Sequence, residues 1–158
     1  MNRERKSLGR KSLQAIFIII FLPIVLPLAV VGLILYVLNK GIVYLLVWLW
    51  WLPQGKDVLF VSSESTIWKE YMETQILPLV ARRAITLNWT ARGKWPRWSF
   101  MVWVFRTLGG RSNFNPMVVL FRPFHRAMVL RFFAAFRDWK HGNTDNVDKL
   151  RRDLIAAL

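Results

Sequence analysis

From Ala15 to Leu38 the chain reads AIFIIIFLPIVLPLAVVGLILYVL, without a charged side chain. About 20 apolar residues suffice to cross the hydrocarbon core of a bilayer as a helix, and this run is longer. The segments that follow supply a core of their own, so a soluble domain has no need of it. A cleaved signal peptide has an apolar centre of ~7–15 residues and then a small-residue cleavage site. Here the run is too long, and no A-x-A-like site appears before Lys40. The expectation is a retained membrane anchor.

Pro23 and Pro27 lie inside the run and predict a bent membrane helix, or a re-entrant element. Asn39-Lys40-Gly41 interrupts the pattern, and IVYLLVWLWWLP then covers Ile42 to Pro53. At ~1.5 Å per residue this second stretch crosses about half a bilayer. Trp48, Trp50 and Trp51 suit an interfacial position. Two arrangements fit. One is a single span with a half-embedded segment after it. The other is a two-helix hairpin from Gln14 to Leu52, turning near Gly32.

Arg3, Arg5, Lys6, Arg10 and Lys11 stand against a lone Glu4, which predicts a cytoplasmic N-terminus by the positive-inside rule. The remainder of the chain is basic too, and a hairpin would keep both ends in the cytoplasm. That slightly favours a cytoplasmic C-terminal domain. The expected layout is a basic tail over residues 1–13, a membrane anchor over 14–53, and a basic α/β domain over 54–158.

The formal net charge is +14 over 158 residues. Such a chain attracts polyanions, and beside a membrane segment these are first of all anionic lipid headgroups. Nucleic acid is the less favoured partner; another membrane protein is a further candidate. The chain has no cysteine and only two histidines, His125 and His141. This excludes disulfides, thiol chemistry and a Cys- or His-only zinc site. No cofactor and no metal are expected.

After Pro53-Gln54-Gly55 the pattern changes to short apolar runs between polar loops. Val58–Val61 predicts a buried strand, and residues 67–83 a helix that Pro78 kinks or splits. Ala84–Trp89 predicts a second strand. Trp98–Leu108 predicts a helix ended by Gly109-Gly110. Met117–Phe121 and Ala127–Phe132 predict strands joined as a hairpin, since so short a connection allows nothing else. Thr144 is placed to cap a helix over Asp145–Ala157, with Val147, Leu150, Leu154, Ile155 and Leu158 as its apolar stripe.

The resulting order, β-α-β-α-β-β-α, resembles the thioredoxin fold over about Lys56 to Leu158. Pro116 stands where that fold keeps a cis-proline before its third strand. The resemblance is one of topology. The family's C-x-x-C falls where Ser62 to Thr66 stand here, so no dithiol chemistry is implied. Leu87-Asn88-Trp89, Gly109-Gly110, Phe114-Asn115-Pro116 and Phe136-Arg137-Asp138 with His141-Gly142 are similar to a family of small uncharacterised bacterial membrane proteins. That resemblance implies a bacterial inner membrane and no particular activity.

In open α/β sheets, ligands bind beyond the C-terminal ends of parallel strands. Ser62-Ser63-Glu64-Ser65 and Asn88-Trp89-Thr90 are two such ends; Ser62, Glu64, Ser65 and Asn88, with Asn115 as a neighbour, form the candidate ligand site. Ordinary capping and turn chemistry explains the same residues. A Ser-His-acid set can be written with Ser62 or Ser65, His141 and Asp138, but no G-x-S-x-G elbow supports it. Lys94, Trp95, Arg97 and Trp98 interleave cations with aromatics, a pairing that suits a membrane interface or single-stranded nucleic acid. Arg106, Arg111, Arg122, Arg126 and Arg131 extend the positive charge. The expected role is binding at a membrane surface, without catalysis; an enzyme built on Glu64, Asn88 and Asn115 is the rival.

Overall fold

The computed structural model describes the backbone of residues 2–110 and 115–158, and the side chains of residues 21–110 and 115–158. Arg111, Phe114 and the basic side chains of the N-terminal tail lie outside the described residues. The chain divides into two compact units, Met1–Gly41 and Ile42–Leu158.

Helix α1 spans Asn2–Leu46 and contains both Pro23 and Pro27. It runs without a break through Gly32 and through Asn39-Lys40-Gly41. The hairpin turn expected near Gly32 is therefore not formed. A continuous helix pairs the interior backbone N–H and C=O groups within the segment itself. A helical glycine costs only about 1 kcal/mol against alanine. Every described side chain from Phe21 to Leu38 is exposed. Among the described residues one helix, Phe21–Gln54, is long and apolar enough to cross a membrane.

The second unit begins within this same helix, at Ile42 and not at Gln54. Val43, Val47 and Trp51 are buried in it, although the sequence assigns them to the anchor. Their i, i+4, i+8 spacing makes one face of a helix, but in a segment apolar on all sides no periodicity reveals that face. The chain passes into a π-helical turn at Val47–Trp51 and a 3-10 turn at Leu52–Gln54, ended by Gly55 with φ 70°. Pro53 accounts for the widened turn, because a proline ring collides with the carbonyl four residues earlier.

Four strands form one sheet in the order β2-β1-β3-β4. They are β1 Val58–Ser62, β2 Ala84–Asn88, β3 Met117–Leu120 and β4 Met128–Arg131. Strands β1 and β2 run parallel; β3 is antiparallel to both β1 and β4. Between β1 and β2 lie α2 Lys69–Tyr71, a π-helical turn Met72–Ile76, and α3 Leu77–Val80. Pro78 thus produces a second widened turn. Helix α4 spans Phe100–Gly109, and Gly110 follows at φ 82°. The Asn115–Pro116 peptide is cis.

Two differences concern the C-terminal end. A short helix α5, Phe133–Trp139, stands where the sequence predicts none. It is too short for its periodicity to stand out. Helix α6 spans Asp145–Ala157 as expected, but Thr144 makes no side-chain cap. Asn143 takes that role, its Oδ1 accepting from the Asp145 amide at 3.1 Å. Val147 and Leu154 are buried, whereas Ile155 and Leu158 are exposed.

The result is a mixed α/β unit with a core on each side of the sheet. Alternation along β1 sends Val58 and Phe60 to one face, where they meet Met72, Ile76, Phe136 and Leu154. Leu59 and Val61 go to the other, with Val102, Phe105, Val47 and Trp51.

Candidate functional site

The parallel pairing sets Ser62 opposite Asn88 at the ends of β1 and β2. The loops beyond are laced together. The Asn88 side-chain amide donates to Glu64 Oε1 at 3.2 Å. The Glu64 backbone N–H donates to Thr90 Oγ1 at 3.0 Å, and the Thr90 N–H to Asn88 Oδ1 at 2.8 Å. Nearby, Ser63 Oγ accepts from Asn115 Nδ2 at 2.9 Å and from Trp68 Nε1 at 3.1 Å. Asn115 Oδ1 is buried and has no hydrogen-bond partner among the described residues.

These groups line a cleft of about 450 Å³ with Ser65, Trp89, Arg92 and Phe133. Of the predicted site residues, the structure brings Glu64, Ser65 and Asn115 into the cleft wall, with Asn88 behind them holding Glu64. Ser62 supplies only its carbonyl, which accepts from the Trp89 amide at 2.7 Å. Ser63 lines the cleft in its place. Thr90 lines it as well, from the second strand end. The sequence missed Trp68, Arg92 and Phe133; of these, only Arg92 carried a signal, by proximity to Asn88.

The cleft is rich in hydrogen bonds and poor in reactive groups. No histidine lines it. His141 instead sits in a turn, its amide donating to the Asp138 carbonyl, and His125 Nδ1 lies 2.8 Å from the Pro123 carbonyl oxygen. The Ser-His-acid set is not assembled. Among the described residues no group of three or more metal-ligating side chains lies together. The helix beyond β1 begins only at Lys69 and widens after three residues, so it offers little dipole to an anion.

The basic-aromatic stretch divides. Trp95 turns inward: its indole N–H donates to the Asn88 carbonyl at 3.1 Å, and its ring packs on Trp89 and Phe105 at 5.5 and 5.6 Å. Lys94, Arg97 and Trp98 stay exposed, Trp98 to 98%. Beside Trp98 runs an apolar groove of about 470 Å³, lined by Leu46, Trp50, Phe100 and Trp103, with Arg97 and Arg106 among its walls. Trp50 and Phe100 stack 5.7 Å apart, 8° from parallel. No carboxylate lines this groove. Leu49 and Trp50 on the adjoining turn are also exposed. Large apolar surface rimmed by cations marks an interaction site more often than ordinary surface.

No family model matches the chain, and no curated protein or solved structure matches it.

Proposed function

We propose that the chain is a membrane-anchored, thioredoxin-like α/β domain without redox chemistry that acts by binding at the membrane surface, with anionic lipid headgroups as its partner. The apolar helix supports the anchor. The sheet order β2-β1-β3-β4, with a parallel first pair, supports the thioredoxin-like reading, and the lack of cysteine removes that fold's redox chemistry. The observation that carries the lipid reading is the groove flanked by Arg97, Trp98 and Arg106. An indole fully open to water is costly in solution and stable at the headgroup level of a bilayer. Guanidiniums beside it meet lipid phosphates, each contributing about 1 kcal/mol at an anionic surface.

The absence of cysteine allows a clean test. Trp98→Cys, labelled with an environment-sensitive fluorophore, is reconstituted as the full chain into vesicles of phosphatidylcholine, alone or with phosphatidylglycerol. Lipid-like emission with phosphatidylglycerol, lost in an Arg97→Glu/Arg106→Glu variant, is the expected result. Water-like emission in both vesicles overturns it and turns the search to a membrane-protein partner.

The strand-end cleft favours a second reading, a ligand site or enzyme built on Glu64, Asn88 and Asn115. Glu64→Ala and Asn88→Ala variants that lose function while melting normally would support it.

A further inference from the structure

The β3–β4 connection, Arg122-Pro123-Phe124-His125-Arg126, carries a feature that turn chemistry does not require. Phe124 has φ 60°, the left-handed region, which is an outlier for a bulky residue. Glycine or asparagine would serve a plain turn better. The Phe124 ring is also 87% exposed. The hairpin therefore holds a strained backbone and presents a large apolar ring to water at the same residue.

The hairpin is fastened to the last turn of α1 and to the π-helical turn after it. Tyr44 Oη accepts from the Ala127 amide at 3.1 Å. Tyr44 meets Phe121 edge-on at 6.3 Å, and Trp48 meets Phe124 itself at 5.3 Å. Trp48 and Trp50 are two residues apart, so they leave this helical segment on nearly opposite sides. Trp50 leads to the groove beside Trp98, and Trp48 leads to Phe124.

We infer that the Phe124 hairpin is a second membrane contact, inserting its ring into the lipid interface on the side of the helix away from Trp98. The inference rests on the lipid reading above. The residues from Phe121 to Ala127 include Arg122, His125 and Arg126 and no carboxylate. Arg122 donates to the Ala157 carbonyl at 3.1 Å, which leaves Arg126 as the open cation of the turn. An aromatic tip two residues from such a cation matches a bilayer interface, where the ring lies at the acyl boundary and the guanidinium meets phosphate. Two contacts flanking one helix would fix the tilt of the domain on the membrane, which a single contact leaves free.

The test uses the full chain in vesicles of phosphatidylcholine and phosphatidylglycerol with nitroxide-bearing acyl chains. Single cysteines at Phe124→Cys, Trp98→Cys and Lys149→Cys are labelled with the same fluorophore; Lys149 is an exposed residue of α6, across the sheet from Trp48. Strong quenching at positions 124 and 98, with little at 149, is expected. Quenching at 98 but only the control level at 124 overturns the hairpin contact and leaves the lipid reading standing. Control-level quenching at all three overturns both. Equal strong quenching at all three overturns the hairpin contact, because the signal would not be local. Each variant is first melted, and His125→Cys reports from the next residue if Phe124→Cys does not fold.

Discussion

Residues 21–38 and residues 43–51 belong to one apolar helical stretch, yet they meet different surroundings. In the first, every side chain is exposed all round the helix. In the second, Val43, Val47 and Trp51 are buried while Leu45, Leu49 and Trp50 stay open. Composition does not separate them. The first is apolar and exposed on every face of the helix. The second needs a protein core on one face and leaves the other to a different environment. A sequence that says only "apolar" thus covers two physical roles, and the transition falls inside an unbroken helix, close to Gly41.

The comparison can be broken most easily by truncation. Trp51→Ala should destabilise the second unit by about 3–5 kcal/mol, as removal of a large buried aromatic does. Leu28→Ala, at a position 66% exposed, should change the same unfolding free energy by less than about 0.5 kcal/mol. Denaturation of the full chain in mild detergent measures both, and equal costs would erase the distinction. A smaller effect sharpens the boundary. Tyr44→Phe removes the acceptor for the Ala127 amide and should cost about 1 kcal/mol, with faster hydrogen exchange at that amide. The smallest effect is at the transition itself. Gly41 is helical with open space around its Cβ position, so Gly41→Ala should stabilise the helix by about 0.5–1 kcal/mol, read as a higher melting temperature.

The four strands and α6 were legible because their signals are local: continuous apolar runs for β1 and β3, and a 3.6-residue stripe for α6. Helix α5 was not, being shorter than a reliable period. Pro78 was legible as a disruption, but not as a π-helical turn that lets the helix continue. At the cleft, Glu64 and Asn88 were legible because the parallel strands β1 and β2 end at the same edge, and Asn115 because it stands beside Pro116, just before β3. Ser62 against Ser63 was not. Neighbouring residues at a strand end point to opposite sides, and the choice between them depends on where the strand stops.

Trp95 and Trp98 make the same point at the surface. Three residues apart in one basic-aromatic run, they look interchangeable. One is turned inward by a hydrogen bond to the Asn88 carbonyl, and the other is held in the open. Phe124 likewise reads as an ordinary hairpin residue until its backbone angle and its contact with Trp48 are known.

The sequence by itself determined that an apolar run without charge extends from Ala15 to Leu38, that a basic α/β unit follows it, and that thiol chemistry is impossible. Those properties belong to residue types and to short-range periodicity, which every copy of the string carries. Only the tertiary structure decided where the second unit begins, which tryptophans face outward, and that the β3–β4 hairpin is tied to Tyr44 and Trp48. Those outcomes depend on contacts between residues far apart in the chain. An apolar side chain gains comparable free energy from any apolar neighbour, so only the fold selects which neighbour it meets.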